Sequence, residues 1–208
     1  KTMPDTPVFP PLSDADWRVA KDFSGLPAWI VKAVGGTTTH WAGASIRFQD
    51  HEWKAKTNYG PVQGANLLDW PIDGAEMEPW YDLAEKKLGV TQTNNLAGLP
   101  GNNNYKVFEA GAKALGYKEV HTGRMAINSE EYDGRMACQQ TGFCFQGCKW
   151  GAKWSAAYTD IPRGEATGNL EVREKAHVAR ILHDDSGKVT GVEYFDEAGN
   201  LQMQQARA

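Results

Sequence analysis

The feature that most constrains this chain is one short stretch, CQQTGFCFQGCKWGAK at residues 138–153. It holds all three cysteines of the 208 residues within eleven positions, spaced C-x5-C-x3-C, with Gly142 and Gly147 between them. An odd number of cysteines cannot all pair as disulfides inside one molecule, so at least one thiol stays unpaired. We call this stretch the cysteine loop. The role of its thiols has to be inferred together with the rest of the chain.

Several kinds of site use neighbouring thiols. A disulfide plus a free thiol requires an oxidising compartment, and two glycines in so short a loop favour a chain that wraps an object. Structural zinc usually takes four protein ligands, and His121 and His177 are not at finger-like spacing. A catalytic cysteine needs a base, which the sequence does not identify. An iron-sulfur cluster that lacks one corner iron takes three thiolates, and inert buried thiols are the commonest alternative to it.

Charge and hydropathy exclude one class of partner. The chain carries 22 Lys and Arg against 26 Asp and Glu, a formal net charge of -4, without a basic run that would neutralise a row of phosphates. We therefore expect no nucleic-acid partner. No apolar run reaches the length of a bilayer span, and residues 1–14 lack the pattern of a signal peptide, so export would be directed from outside this chain.

Two helices are predicted from capping residues and apolar spacing. The first begins at Asp73, where D-G-A-E resembles a capping box, and ends at Gly89. The second covers residues 105–115 and ends at Gly116. These two segments carry the clearest helical signals in the chain.

Other segments are predicted from composition. A short helix is expected from Ser13, an N-cap residue type, and residues 49–72 are expected to be rich in loops. The tail is rich in Val, Ile and Tyr and is divided by D-D-S-G-K and E-A-G-N turns, which favours an antiparallel meander. Its strand-like segments are LEVR, HVARILHDD, KVTGVEYFD and LQMQQARA.

The stretch VGGTTTHWAG, residues 34–43, combines a glycine pair with three threonines. Without a Cβ, glycine lets the backbone approach a neighbour closely, and threonine offers hydroxyl and N–H groups. A phosphate or a ring system lying against the main chain would suit this composition. A tight turn with a Thr-rich edge explains the same residues.

Five stretches in this order resemble the glucose-methanol-choline (GMC) family of FAD oxidoreductases: GGTTTHWAG, WPIDGAEMEPWYDLAEKKLGV, CQQTGFCFQGCKWGAKWS, NLEVREKAHVARI and GKVTGVEYFD. More narrowly, the chain is similar to the flavoprotein subunits of bacterial membrane-bound gluconate, glucose, fructose and sorbitol dehydrogenases. The likeness runs from about Trp29 to Ala208, and its motifs are specific in combination.

The resemblance implies an α/β (α+β) fold, in which part of a Rossmann-type FAD-binding domain with a β-meander joins part of a substrate domain. It divides the chain into an FAD-binding segment at 1–48, a helical and loop-rich part at 49–136, a cysteine region at 137–155 and a meander at 156–208. The residues that it assigns to FAD are Gly35, Gly36, Thr37, Thr38, His40, Trp41 and Val178. Val178 would meet the adenine through its backbone, although a plain hairpin explains it equally well.

The resemblance also implies a chemistry. His40 stands in a context similar to one that carries covalent FAD, although a histidine beside a tryptophan is more often packed than reactive. Cys138, Cys144 and Cys148 would hold a 3Fe-4S cluster that takes electrons from FAD. The implied activity is a sugar, polyol or sugar-acid dehydrogenase, with a small subunit and a cytochrome c subunit as partners. These would tie it to the periplasmic face of the inner membrane.

Parts of the implied enzyme are missing from the chain. No G-x-G-x-x-G fingerprint occurs, and nothing supports His51, His121 or His183 as a catalytic base, so no catalytic residue is assigned. We expect an internal fragment that is inactive by itself. Two other functions stay open, which are an iron-sulfur electron-transfer module without a substrate and a GMC oxidase that uses oxygen.

Overall fold

A computed structural model describes residues 31–207, so the short helix predicted from Ser13 lies outside the described residues. The α-helices within this range are α1 (Asp50–Trp53), α2 (Ala55–Tyr59), α3 (Gly74–Leu88), α4 (Asn103–Ala114) and α5 (Asp160–Ala166). The strands are β1 (His177–His183), β2 (Val189–Phe195) and β3 (Leu201–Gln205). Three 3-10 turns span Gly36–Thr39, Cys144–Gln146 and Ala156–Tyr158.

The two long helices form where local signals predict them. Asp73 caps α3 by accepting a hydrogen bond from the backbone N–H of Glu76, and Gly89 ends the helix in the left-handed region. Helix α4 begins two residues before its predicted start, because the Asn102 side chain caps it by accepting from the N–H of Tyr105. Both helix predictions are confirmed.

Residues 49–72 are not wholly irregular, because α1 and α2 lie inside them. Helix α1 begins with a capping box formed by Gln49 and Glu52. Its Trp53 is buried and packs against the rings of Phe48 and Trp70. These two short helices were not predicted, because their residues show no periodic apolar pattern.

The tail is an antiparallel meander in which β1 pairs with β2 and β2 pairs with β3, with Ile181 opposite Val192 and Glu193 opposite Met203. Both hairpins are closed by aspartates. The Asp184 carboxylate accepts from the N–H groups of Ser186 and Lys188, and Asp196 closes the second turn in the same way. The predicted meander and the predicted fold class are confirmed.

One strand prediction is wrong. LEVR, residues 170–173, lies outside any strand, and the meander begins only at His177. The side chain of Arg173 instead reaches across the sheet, where its guanidinium donates to the hydroxyl of Tyr194 and to Gln204. β-propensity predicted a strand here because it cannot tell whether a neighbouring strand exists to pair with.

The core of the described residues is organised around residues 124–128, which we call the central crossing. On one side they bond to residues 43–45, and on the other side to residues 152–154. The N–H of Thr91 also donates to the carbonyl of Met125. Buried here are Val90, Thr91, Ala126, Ile127, Asn128, Ala152, Lys153 and Ser155. This central crossing brings together segments that are more than a hundred residues apart in sequence.

A buried carboxylate ties α3 to this core. Glu85 is 5% exposed and accepts from Arg47 through both of its oxygens, at 2.8 and 2.5 Å, and from Arg124 at 3.3 Å. The hydrogen bond to Glu85 raises the pKa of Arg47 above its ordinary value, although burial opposes this. Arg47 therefore stays charged and links the segment after residue 45 to the helix.

Candidate functional site

The GGTTTHW segment, residues 35–41, enters its 3-10 turn through two glycines in the left-handed region. The φ angle is +88° at Gly35 and +54° at Gly36, where a side chain would be strained. The Thr38 hydroxyl donates to the carbonyl of Gly35 at 2.5 Å, and the Thr39 hydroxyl donates to that of Gly36 at 2.9 Å. These local bonds hold the segment in one shape.

The two glycines face different surroundings. A Cβ on Gly35 would lie 2.6 Å from the Cβ of Ala157, so this glycine lets the segment pack against the turn Ala156–Tyr158. A Cβ on Gly36 would meet no atom of residues 31–207 within 4 Å. We predicted that the glycine pair lets the backbone approach a close neighbour. At Gly35 this neighbour is the protein's own chain at Ala157. The open side of Gly36 is the surface that a flat ring or a phosphate would fit.

The threonines also divide their roles. The Thr38 hydroxyl lies 3.1 Å from the Ser155 hydroxyl and accepts from the N–H of Ala156 at 3.2 Å, in addition to its bond to Gly35. The Thr38 hydroxyl therefore forms its hydrogen bonds within the protein. Thr37 is exposed. A ligand on this surface would therefore meet the hydroxyl of Thr37 and the backbone around Gly36.

His40 and Trp41 follow the turn, and both are half-buried. Their backbone N–H groups donate to the carbonyl of Thr37 at 3.2 and 3.1 Å. The indole N–H of Trp41 donates to the Trp154 carbonyl at 2.8 Å, and the two indole rings meet edge to face with centroids 6.2 Å apart. Trp41 therefore anchors the segment to the chain that follows the cysteine loop.

The cysteine loop carries three free, half-buried thiols. Cys138 is held to the core by its N–H, which donates to the Asn128 carbonyl at 2.8 Å. The sulfur of Cys138 accepts from the N–H of Gln140 at 3.4 Å, and that of Cys148 accepts from the N–H of Lys153 at 3.5 Å. Such N–H···S contacts stabilise thiolate sulfur.

Electrostatics link the three thiols. Burial raises the pKa of Cys144; Cys138 raises it too, Lys153 opposes the rise, and Cys148 adds to it. Within residues 31–207, however, no three His, Cys, Asp or Glu side chains stand together as a set that would hold a metal ion. The donors are of the type that an iron-sulfur cluster takes, but their present side-chain arrangement does not close a ligand set.

Lys153, which the sequence did not single out, lies between the two segments. It is fully buried, and its ammonium donates to the carbonyls of Thr39, Trp41 and Cys144 at 3.1, 2.7 and 2.6 Å. Burial lowers its pKa, whereas Cys144 and Cys148 raise it. No local signal marked it in the run G-A-K-W-S, because lysine is a residue type that is mostly exposed.

Tyr158 bonds to the backbone of this lysine. Its hydroxyl donates to the carbonyl of Lys153. Burial is the main cause that raises the pKa of Tyr158 to about 12, with Cys148 adding to the rise and Arg135 opposing it. The phenol is therefore neutral at physiological pH and acts as a hydrogen-bond donor that holds the backbone beside the thiols.

Val178 lies elsewhere, on the first strand of the meander. It lines a cleft whose described walls all come from residues 171–204, including Arg173 and Tyr194. The Arg173 guanidinium lies 5.6 Å from the centre of the Tyr194 ring. The structure thus brings the GGTTTHW segment and the cysteine loop together, while the walls of the Val178 cleft include neither of them.

The three histidines considered as bases are exposed and bound locally. His51 meets the ring of Tyr59 edge to face, and His121 and His183 each place Nδ1 about 3 Å from the carbonyl of the next residue, at 2.9 and 3.0 Å. These contacts support no catalytic role.

None of the helices in residues 31–207 is long and apolar enough to cross a bilayer.

The meander and the glycine-threonine turn beside the cysteine loop are features of a class of oxidoreductase domain. The chain belongs to the GMC oxidoreductase family, whose model matches residues 26–208. The resemblance read from the sequence is thereby confirmed.

Three relatives show which members of the family are similar. The fructose dehydrogenase large subunit of Gluconobacter japonicus is 27% identical over 93% of this chain and 36% of its own length. The paromamine 6'-oxidase of Streptomyces fradiae is 30% identical over 82% of this chain and 32% of its own length. The gluconate 2-dehydrogenase flavoprotein of Pantoea cypripedii is 24% identical over 83% of this chain and 34% of its own length. The chain spans about a third of the length of these relatives.

Proposed function

We propose that this chain is part of an FAD-dependent dehydrogenase that oxidises a hydroxyl group of a sugar, polyol or sugar acid. In this proposal electrons pass from FAD through a 3Fe-4S cluster on the cysteine loop to a cytochrome c. A substrate-free electron-transfer module fits less well, because the chain belongs to a family of oxidoreductases.

One observation carries the proposal, which is the direct contact between the two segments that would hold the cofactors. Trp41 bonds to the carbonyl of Trp154, and Lys153 bonds to carbonyls on both segments. A Cβ on Gly147 of the cysteine loop would lie 4.0 Å from the carbonyl oxygen of Thr39. Groups bound to these two surfaces would be neighbours, as electron transfer requires.

The surface at Gly36 fits FAD by its openness and its donors. Among the residues that the structure describes, none lies within 4 Å of the place where a Cβ on Gly36 would stand, and the next residue, Thr37, is exposed. FAD, when bound, supplies the two-electron acceptor for a hydride, and an iron-sulfur cluster supplies a one-electron carrier. In this proposal the segment would support the flavin through its backbone at Gly36 and the hydroxyl of Thr37.

The cysteine loop supports a cluster by the chemistry of its donors. Gly142 and Gly147 have φ angles of +77° and +101°, and neither has a side chain to obstruct the loop. Ligation requires Cys138, Cys144 and Cys148 to converge from their positions in this structure. Backbone N–H groups of Gln140 and Lys153 already face two of the sulfurs.

Relatives suggest the substrate and the setting. Two of them are named as a fructose dehydrogenase and a gluconate 2-dehydrogenase, so a sugar or a sugar acid is the proposed substrate. The words "large subunit" in the first name support a small subunit as a partner here. We propose a cytochrome c subunit as a second partner, as the family resemblance of the sequence implies. We place the complex at the periplasmic face of the inner membrane, with membrane attachment through its partners.

The cluster is tested by replacing one ligand. In the purified protein we expect iron, acid-labile sulfide and an electron paramagnetic resonance signal in the oxidised state. Because serine oxygen is a poor ligand for iron-sulfur clusters, Cys144→Ser should lower the iron content and the signal about tenfold or more. Dye-linked oxidation of sugars and sugar acids, measured in parallel, reports whether the flavin still works.

The matched control is Ala137→Ser, which introduces the same hydroxyl next to Cys138 without removing a thiol. It should keep the full iron content and the full signal. An iron-free protein that oxidises sugars with a cytochrome c acceptor at full rate would overturn the cluster part of the proposal.

His40 supplies a second test, because it directly follows the turn Gly36–Thr39 that we propose to support the flavin. We propose that FAD is bonded covalently to His40. Acid-precipitated protein should then keep flavin fluorescence on a denaturing gel, and His40→Ala should lose it while Thr39→Ala keeps it. Complete release of the flavin by acid would leave His40 a packing role only.

One observation favours a second function. The paromamine 6'-oxidase is 30% identical, and its name describes an oxidase. A family oxidase with oxygen as acceptor would form hydrogen peroxide at the rate of substrate oxidation. Peroxide at that rate, from protein without iron, would favour the oxidase over the dehydrogenase.

A further inference from the structure

We draw no further inference here: the strongest candidate, the apolar surface that Val107 and Phe108 of helix α4 expose together with its C-cap residue Leu115, is an unpartnered helix face, and nothing in the part of the chain that the structure describes shows what covers it.

Discussion

Replacing Gly35 by alanine is expected to lower the free energy of unfolding by about 2–5 kcal/mol and to release bound flavin. The left-handed φ of +88° costs a residue with a Cβ about 1–2 kcal/mol. The new Cβ would also lie 2.6 Å from the Cβ of Ala157, and overpacking of this kind costs about 1–3 kcal/mol. Denaturant titration and the flavin content of the purified protein measure the two effects.

Gly36→Ala is the matched control for Gly35→Ala, because the neighbouring glycine has a φ of +54° but open space where a Cβ would stand. Only the conformational cost remains, so the expected loss is about 1–2 kcal/mol. If the open side of Gly36 supports the flavin, flavin content should fall although the protein stays folded. Equal stability losses in the two variants would show that contact with Ala157 is unimportant.

Replacing Glu85 by alanine is expected to cost about 3 kcal/mol of unfolding free energy, because it removes the buried partner of two arginines. The cost is at the lower end for a broken buried pair, since Arg47 keeps its exposed partners Glu78 and Asp82. Arg124 keeps no acidic partner among the residues described. Thermal and chemical denaturation should both show the loss.

Glu78→Ala is the control for Glu85→Ala, because it removes a carboxylate from the same arginine at a position where the side chain is 62% exposed. Exposed ion pairs contribute less than about 1 kcal/mol, and salt screens them further. The difference between the two variants should persist at high salt. If both variants lose the same small amount, Glu85 is not a buried anchor of α3.

Local signals in the sequence determined the long helices and the meander. Asp73 and Gly89 mark the ends of α3 because a cap satisfies backbone groups within a few residues of itself. Asp184 and Asp196 close their hairpins in the same local way. LEVR misled the strand prediction because pairing depends on a neighbouring strand.

The type of candidate site could also be predicted from sequence, but its arrangement could not. Residue chemistry alone indicated a glycine-threonine turn for a ligand and three thiols for metal or redox chemistry. It did not indicate that Thr38 uses its hydroxyl inside the protein or that Gly35 packs against Ala157. Both depend on which chain segment lies opposite the turn.

The sequence by itself therefore determined the local elements and the donor types, since each has a signature within a few residues, and it determined the family through the combination of several motifs along the chain. Only the tertiary structure decided that the GGTTTHW segment and the cysteine loop meet. Lys153 bonds to Thr39 across 114 positions of sequence, and the central crossing at residues 124–128 holds them in place. A contact of this range arises from the packing of the whole core and leaves no local pattern in the chain.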